Sequence, residues 1–398
     1  MKIFNKLYEL LGVGFSTILC GDFNTDIKDR VAQNNIKITR EGSLLKQMCD
    51  DCGVKDSFRE LYPLEEELEE FFSSIPKIKS MDLPAIVSKI TNKEIIEVIK
   101  NLNDKKSPGP DGLPAELYKV CINEIVDLLR EYYNEGLAGG NLNECFYQSV
   151  ITLVYKKGNP ADLDNWRQIH LLNMDYKILA KIMANRISQY TEEIIEHEQT
   201  CAMKGRFMWD NLGILKSILN SKSDKDIFVV SLDQKKAFDL ISRDYLWKAM
   251  EHYGFPIDFI QMVQLLYKKS KTKINVNGVL TEEIDIKRGV KQGCPLSAIL
   301  YILAISPLLN QIKNDNNIEG IQTKEKSSKL KLTAYADDIT VFIKNQNELN
   351  VVNEHFKRYE RVAGAKINLD KTEAVWLGNE TTPSLNIQIK DKIKVIGI

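Results

Sequence analysis

Residues 227–232, Ile-Phe-Val-Val-Ser-Leu, are apolar and β-branched almost without interruption. That pattern predicts a strand buried on both faces, with Asp233 delivered at its C-terminal edge. A second pattern alternates: Leu330, Leu332 and Ala334 share one face of one run, and Ile339, Val341 and Ile343 share one face of the next. Two hairpin strands are expected there, with the acidic pair Asp337 and Asp338 at the tip. Helical spacing follows Thr91-Asn92-Lys93-Glu94, a capping-box sequence, where Ile95, Val98, Ile99 and Leu102 recur on one face up to the Pro- and Gly-rich loop 107–112. Further helices are predicted over 115–133, 176–195, from a Ser242 cap to His252, over 295–312 and over 348–362. Residues 150–155 read as a strand, and Asn277-Gly278 as a hairpin turn after strand 274–276.

The strand-end acids bear on chemistry. Like charges at a turn repel, and carboxylates brought together from distant parts of a chain are oxygen ligands for hard divalent ions such as Mg²⁺. That is the equipment of two-metal phosphoryl transfer. Taken alone, an Asp-Asp pair reads more often as a solvated turn.

Composition excludes little. The chain has 398 residues, long enough for two or three domains, with 54 Lys and Arg against 55 Asp and Glu and a formal net charge of -1. Charge is uneven, however. Residues 64–70 are acidic, while Lys156-Lys157, 268–273 and 324–331 are basic and could meet nucleic-acid phosphates or form solvated faces. Seven cysteines, an odd number, point to reduced thiols and an intracellular protein. Cys49-Asp50-Asp51-Cys52 is a lone CxxC, which does not make a zinc site. Residues 10–20 imitate a signal peptide, but Glu9 and two glycines break the pattern, and no stretch has the length of a transmembrane helix.

The motifs together resemble the reverse transcriptases of LINE-type, non-LTR retrotransposons. The resemblance rests on Lys106-Ser107-Pro108-Gly109-Pro110-Asp111-Gly112, Asn165-Trp166-Arg167, Ser231 to Asp239, Arg288 to Ser297, Tyr335-Ala336-Asp337-Asp338, and Gly364 to Asn368 with Lys371 and Trp376-Leu377-Gly378. It implies an α+β, right-hand polymerase with fingers and an antiparallel palm sheet backed by helices, the thumb largely missing. It also implies an RNA-directed DNA polymerase acting on an RNA template, a DNA primer and dNTPs, with two Mg²⁺ ions that Mn²⁺ can replace. Asp233, Asp337 and Asp338 resemble its catalytic metal ligands. Phe238 is similar to the gate against a ribose 2′-hydroxyl, a core phenylalanine being the other reading. Gln292 and Gly293 look like the loop against the incoming nucleotide, and Arg167 like a triphosphate-holding fingers residue, with a structural salt bridge equally open. Lys371 reads as an acid for pyrophosphate or as a solvated lysine. Nuclear or cytoplasmic location, without a membrane partner, is what the family implies.

Ile18 to Asn24 resembles a metal-site motif of the endonuclease/exonuclease/phosphatase family, carried by Asp22 and Asn24. The first histidine is His170, so no nuclease activity is expected. Residues 1–62 are therefore read as a truncated remnant of that domain, 63–90 as a linker, 91–380 as reverse transcriptase fingers and palm, and 381–398 as a truncated post-palm region. Gln168, His170, Cys201-Ala202 and Ala298 depart from the family pattern, and Gln168 in place of proline is expected to relax a fingers turn. These departures fit a decayed copy. A non-catalytic nucleic-acid-binding remnant is the alternative reading.

Overall fold

The alternation and burial patterns become ten strands in a computed structural model that describes residues 65–79, 83–220, 226–322, 329–368, 371–378 and 382–395. The Asp22 and Asn24 motif, Cys49-Cys52 and the remnant expected over 1–62 lie outside the described residues. The strands are β1 (Ser149–Tyr155), β2 (Trp166–Leu172), β3 (Ile227–Leu232), β4 (Lys271–Val276), β5 (Val279–Leu280), β6 (Ile284–Asp285), β7 (Leu332–Tyr335), β8 (Asp338–Ile343), β9 (Glu373–Leu377) and β10 (Gln388–Ile389). One sheet runs β2-β1-β4-β5 with β6 on β4, and the other runs β10-β9-β3-β8-β7. These are the expected fingers and palm sheets. Within the palm, β3 pairs antiparallel with both β8 and β9, and only β10 joins in parallel.

β3 is central because its two faces are both apolar. Phe228, Val230 and Leu232 enter the main core, while Ile227 and Val229 join Ile218, Leu330 and Phe342 in a smaller cluster on the other face. β8 behaves in the same way. Ile339, Val341 and Ile343 face the main core, and Phe342 and Thr340 are also buried, so this strand is covered on both sides. The cover on the second face comes partly from Ile214, Leu215 and Ile218 of the helix Met208–Asn220. Under the first face runs the helix Ser297–Asn314, fourteen of whose residues are buried. A helix apolar on all sides belongs in a core.

Local signals hold at several helix starts. Thr91 and Glu94 form the reciprocal capping box of the helix Asn92–Lys100, and Ser242 caps Arg243–His252. Glu94 also accepts two hydrogen bonds from the buried Arg186, whose guanidinium reaches the carbonyls of Ile86 and Ser88. The single helix expected over 115–133 is instead two, Ala115–Val120 and Ile122–Gly139, which meet at Cys121. The helix expected over 176–195 also divides, into Met174–Ser188 and Thr191–Ile194.

The segment read as a tether with one helix contains that helix, and it is packed where it is described. Glu65–Phe72 forms a helix whose Phe71 and Phe72 are buried, with ring contacts from Phe71 to Tyr245 and Tyr359 and from Phe72 to Tyr245 and His252. Gln311 donates to the Phe71 carbonyl, and the Ile78 N–H donates to the Tyr253 carbonyl at 2.9 Å. The run of glutamates concealed two adjacent aromatic residues, and burying them outweighs the polar composition of the segment. Among the described residues, no helix is long and apolar enough to cross a membrane.

Candidate active site

Each acid is placed by a strand end. β3 stops at Leu232, so Asp233 stands at the palm edge, half-buried. Its carboxylate accepts a 3.0 Å hydrogen bond from the Asn368 side chain, and its carbonyl accepts from the Asn368 N–H at 2.8 Å. Next to it, β7 and β8 pair Tyr335 with Asp338, so the turn consists of Ala336 and Asp337. This corrects the expected tip: Asp337 sits in the turn, while Asp338 is the first residue of β8.

Ala336 has φ +54, the left-handed region that a residue with a Cβ rarely adopts. It is held there by Gln199, a fully buried side chain that accepts from the Ala336 N–H at 2.9 Å and donates to its carbonyl at 3.2 Å. The same stretch of chain continues beside β7, since the Ala334 N–H donates to the Glu198 carbonyl and the Thr200 N–H donates back to Ala334. Sequence reasoning missed Gln199 and gave Asn368 no role of its own. Their signal lies in contacts 137 and 135 residues apart, which no local pattern carries.

The three acids line one cleft of about 780 Å³, together with Phe238, Gln292, Gly293, Arg167 and Lys371. Burial, followed by the charge of Asp233, raises the Asp337 carboxyl, against the pull of Arg167 and Lys156. Desolvation by the cleft walls, then the charges of Asp337 and Asp233, pushes Asp338 up to about 6. Among the described residues, no three acidic, histidine or cysteine side chains form a ready-made metal cluster. The donor set nonetheless fits a hard dication. Asp337 and Asp338, raised by burial and then by the neighbouring acids' charge, would be relieved by a positive ion that draws its remaining ligands from water and phosphate.

The cost at Asp338 has a sign that can be checked. A carboxyl raised in the fold above its ordinary 3.8 destabilises the protein fully at pH above about 6, and that cost fades as the pH falls toward 4. Asp338→Asn is therefore expected to raise the melting temperature in chelator-containing buffer at pH 8, with the gain shrinking to nothing near pH 4. A pH-independent difference in calorimetry would refute the assignment.

Phe238 lies partly open to the cleft, and its ring stacks on the buried Tyr301 at 4.6 Å and 15°. Arg167 projects from β2, is exposed, and forms no ion pair among the described residues. Lys235 and Lys236, by contrast, both reach Asp164, at 3.5 and 2.7 Å. Of the other basic stretches, Lys268 donates to the Gly140 carbonyl and Lys269 pairs with Glu144, so part of that cluster is locally satisfied. Gln168 lies inside β2 opposite Leu153, so the residue expected to relax a turn is in fact a ladder position.

The loop from Arg288 to Gly293 ties the motifs together. The Gly289 N–H donates to the Ile241 carbonyl, and the Val290 N–H to the Phe238 carbonyl, both at 2.8 Å. Gln292 accepts from the His170 N–H at 2.7 Å, and its side chain donates to Asp239 at 3.1 Å. Gly293 has φ +110, and a Cβ there would stand 2.6 Å from the His170 carbonyl. The close approach that needs glycine is therefore to β2, where a nucleotide had been expected. Asp239 was also missed: burial raises its carboxyl, which the hydrogen bond from Gln292 opposes.

Residues 154–398 match the family described as reverse transcriptase (RNA-dependent DNA polymerase). The chain is 29% identical over 313 residues to the transposon TX1 uncharacterized 149 kDa protein of Xenopus laevis, covering 78% of this chain and 24% of that protein. It is 28% identical over 267 residues to the retrovirus-related Pol polyprotein from type-2 retrotransposable element R2DM of Drosophila melanogaster, covering 67% and 24%. It is 23% identical over 325 residues to the RNA-directed DNA polymerase from mobile element jockey of the same fly, covering 79% and 34%. The chain thus spans about a quarter to a third of the length of these relatives.

Proposed function

Because the chain belongs to the reverse transcriptase (RNA-dependent DNA polymerase) family, we propose that it extends a DNA primer along an RNA template as the polymerase part of a LINE-type, non-LTR retrotransposon. The observation that carries this is the meeting of Asp233, Asp337 and Asp338 on one cleft with Phe238, Gln292, Gly293 and Arg167.

Asp233, Asp337 and Asp338 would hold divalent ions, Mg²⁺ or Mn²⁺, which when bound lower the pKa of the primer 3′-hydroxyl and neutralise charge on the phosphates. The protein's own part is positioning. Asn368 orients the Asp233 carboxylate, and Gln199 keeps the strained turn that presents Asp337. Arg167, unpaired among the described residues, offers a planar cation to the triphosphate of a dNTP. The Gln292–Gly293 segment walls the nucleotide site. Phe238, its ring fixed against Tyr301, blocks a 2′-hydroxyl by steric exclusion.

Metal-dependent incorporation of dNTPs by the purified chain, on an RNA template with an annealed DNA primer, tests the reading. A folded protein that binds the duplex but incorporates nothing would instead be a nucleic-acid-binding remnant. For the gate, Phe238→Val is expected to raise incorporation of ribonucleotides relative to deoxynucleotides by on the order of a hundredfold, since removing a steric block is worth a few kcal/mol. An unchanged ratio of kcat/KM values would return Phe238 to the core.

A further inference from the structure

We propose that Lys291 is a positioning residue whose buried ammonium fastens the 288–293 loop and thereby sets the place of the Gln292–Gly293 segment at the nucleotide site. This rests on the polymerase reading above. Lys291 is 2% exposed. Its Nζ lies 4.4 Å from the centre of the Tyr176 ring, 5.6 Å from that of Tyr267, and 3.4 Å from the Leu266 carbonyl, to which it donates. The loop is thus held from both sides. Its backbone is bound to Ile241, Phe238 and His170, and the Lys291 side chain reaches across to the end of the helix Ile257–Leu265 and to the helix Met174–Ser188.

The surroundings give this cation no anion. Arg243 lies over the Tyr267 ring at 4.8 Å and donates to the Gly289 carbonyl, so a second positive group faces the same ring. Burial keeps the hydroxyls of Tyr176 and Tyr267 and the thiol of Cys294 above their ordinary values, and pushes His170 down to about 4. All four are therefore neutral near pH 7, and among the described residues no carboxylate pairs with Lys291. A buried cation without a counter-charge lowers stability, and cation–π contact offsets only part of that cost. A methionine would fill the same space at less cost. The feature that methionine lacks is the directional tie from the loop to the Leu266 carbonyl and the two rings. The tie also lies close to the chemistry. Lys291 borders a cavity of about 310 Å³ whose walls include Gln168 and Asp239, and both residues also line the catalytic cleft.

The test compares the parent with Lys291→Met and Lys291→Arg in steady-state primer extension, with thermal melting alongside. Lys291→Met is expected to raise the KM for dNTP about tenfold, the loss of one charge-assisted hydrogen bond, with a smaller change in kcat, and Lys291→Arg to restore part of it. Burial pushes Lys291 down to about 7, so the parent's KM should climb as the pH rises through that value, while the arginine variant stays flat. Melting gives the opposite sign. The burial cost of a depressed lysine is fully present below about pH 7 and is lifted as the pH rises toward 10.5, so the methionine variant should melt at or above the parent at pH 6. A folded Lys291→Met protein with the parent's KM would overturn the proposal. If the parent itself incorporates nothing, the polymerase reading fails separately, and hydrogen exchange of the 288–293 amides decides the loop. Faster exchange in Lys291→Met supports the tie, and equal exchange removes it.

Discussion

Asp337→Ala is expected to lower single-turnover primer extension on an RNA template by on the order of a thousandfold or more, because metal-assisted charge stabilisation supplies several kcal/mol of the barrier reduction. The fold should survive. Asp337 occupies a turn rather than a ladder position, and removing its carboxylate relieves a repulsion with Asp233 and Asp338. Circular dichroism and duplex binding near the parent's values would therefore accompany the loss. Asn368→Ala removes only the hydrogen bond that orients Asp233, so its expected loss is smaller, about tenfold. The order of these two effects is the discriminating result. Extension by Asp337→Ala within tenfold of the parent would move the reaction centre elsewhere.

Phe71→Ala should destabilise the protein by about 3–5 kcal/mol, the range for emptying a fully buried aromatic site. The expectation follows from the ring's complete burial and its contacts with Phe72, Tyr245 and Tyr359. Urea denaturation at neutral pH measures it. A tether would not respond, so a change below about 0.5 kcal/mol, typical of a surface position, would mean that 65–72 is not part of the core. The surface ion pairs of the same helix, Glu67 with Arg361 and Glu70 with Arg358, carry little of this stability because they are exposed.

Strand and helix starts were legible where the signal is local. The Thr91 and Ser242 caps, the Asn277-Gly278 turn and the buried strand ending at Asp233 each depend on residues within a few positions of one another, and the structure contains each of them. The length of the acidic turn was not. Apolar alternation marked the two strands, but a two-residue turn at Ala336-Asp337 and a four-residue turn are equally compatible with that alternation. Gln199, reaching Ala336 across 137 residues, secures the tight turn.

From its sequence alone, this protein shows strands, helices and turns in an α+β order with carboxylates at strand ends, because period-two burial and caps are properties of short segments; the polymerase reading came from the resemblance of its motifs to a known family. Tertiary structure decided which groups meet. Asn368 beside Asp233, His170 against Gly293, the 65–72 helix against Tyr245, and the ammonium of Lys291 near the rings of Tyr176 and Tyr267 are contacts between distant segments. Hydrophobic burial chooses such partners by shape and area over the whole fold, and no pattern within a single segment records that choice.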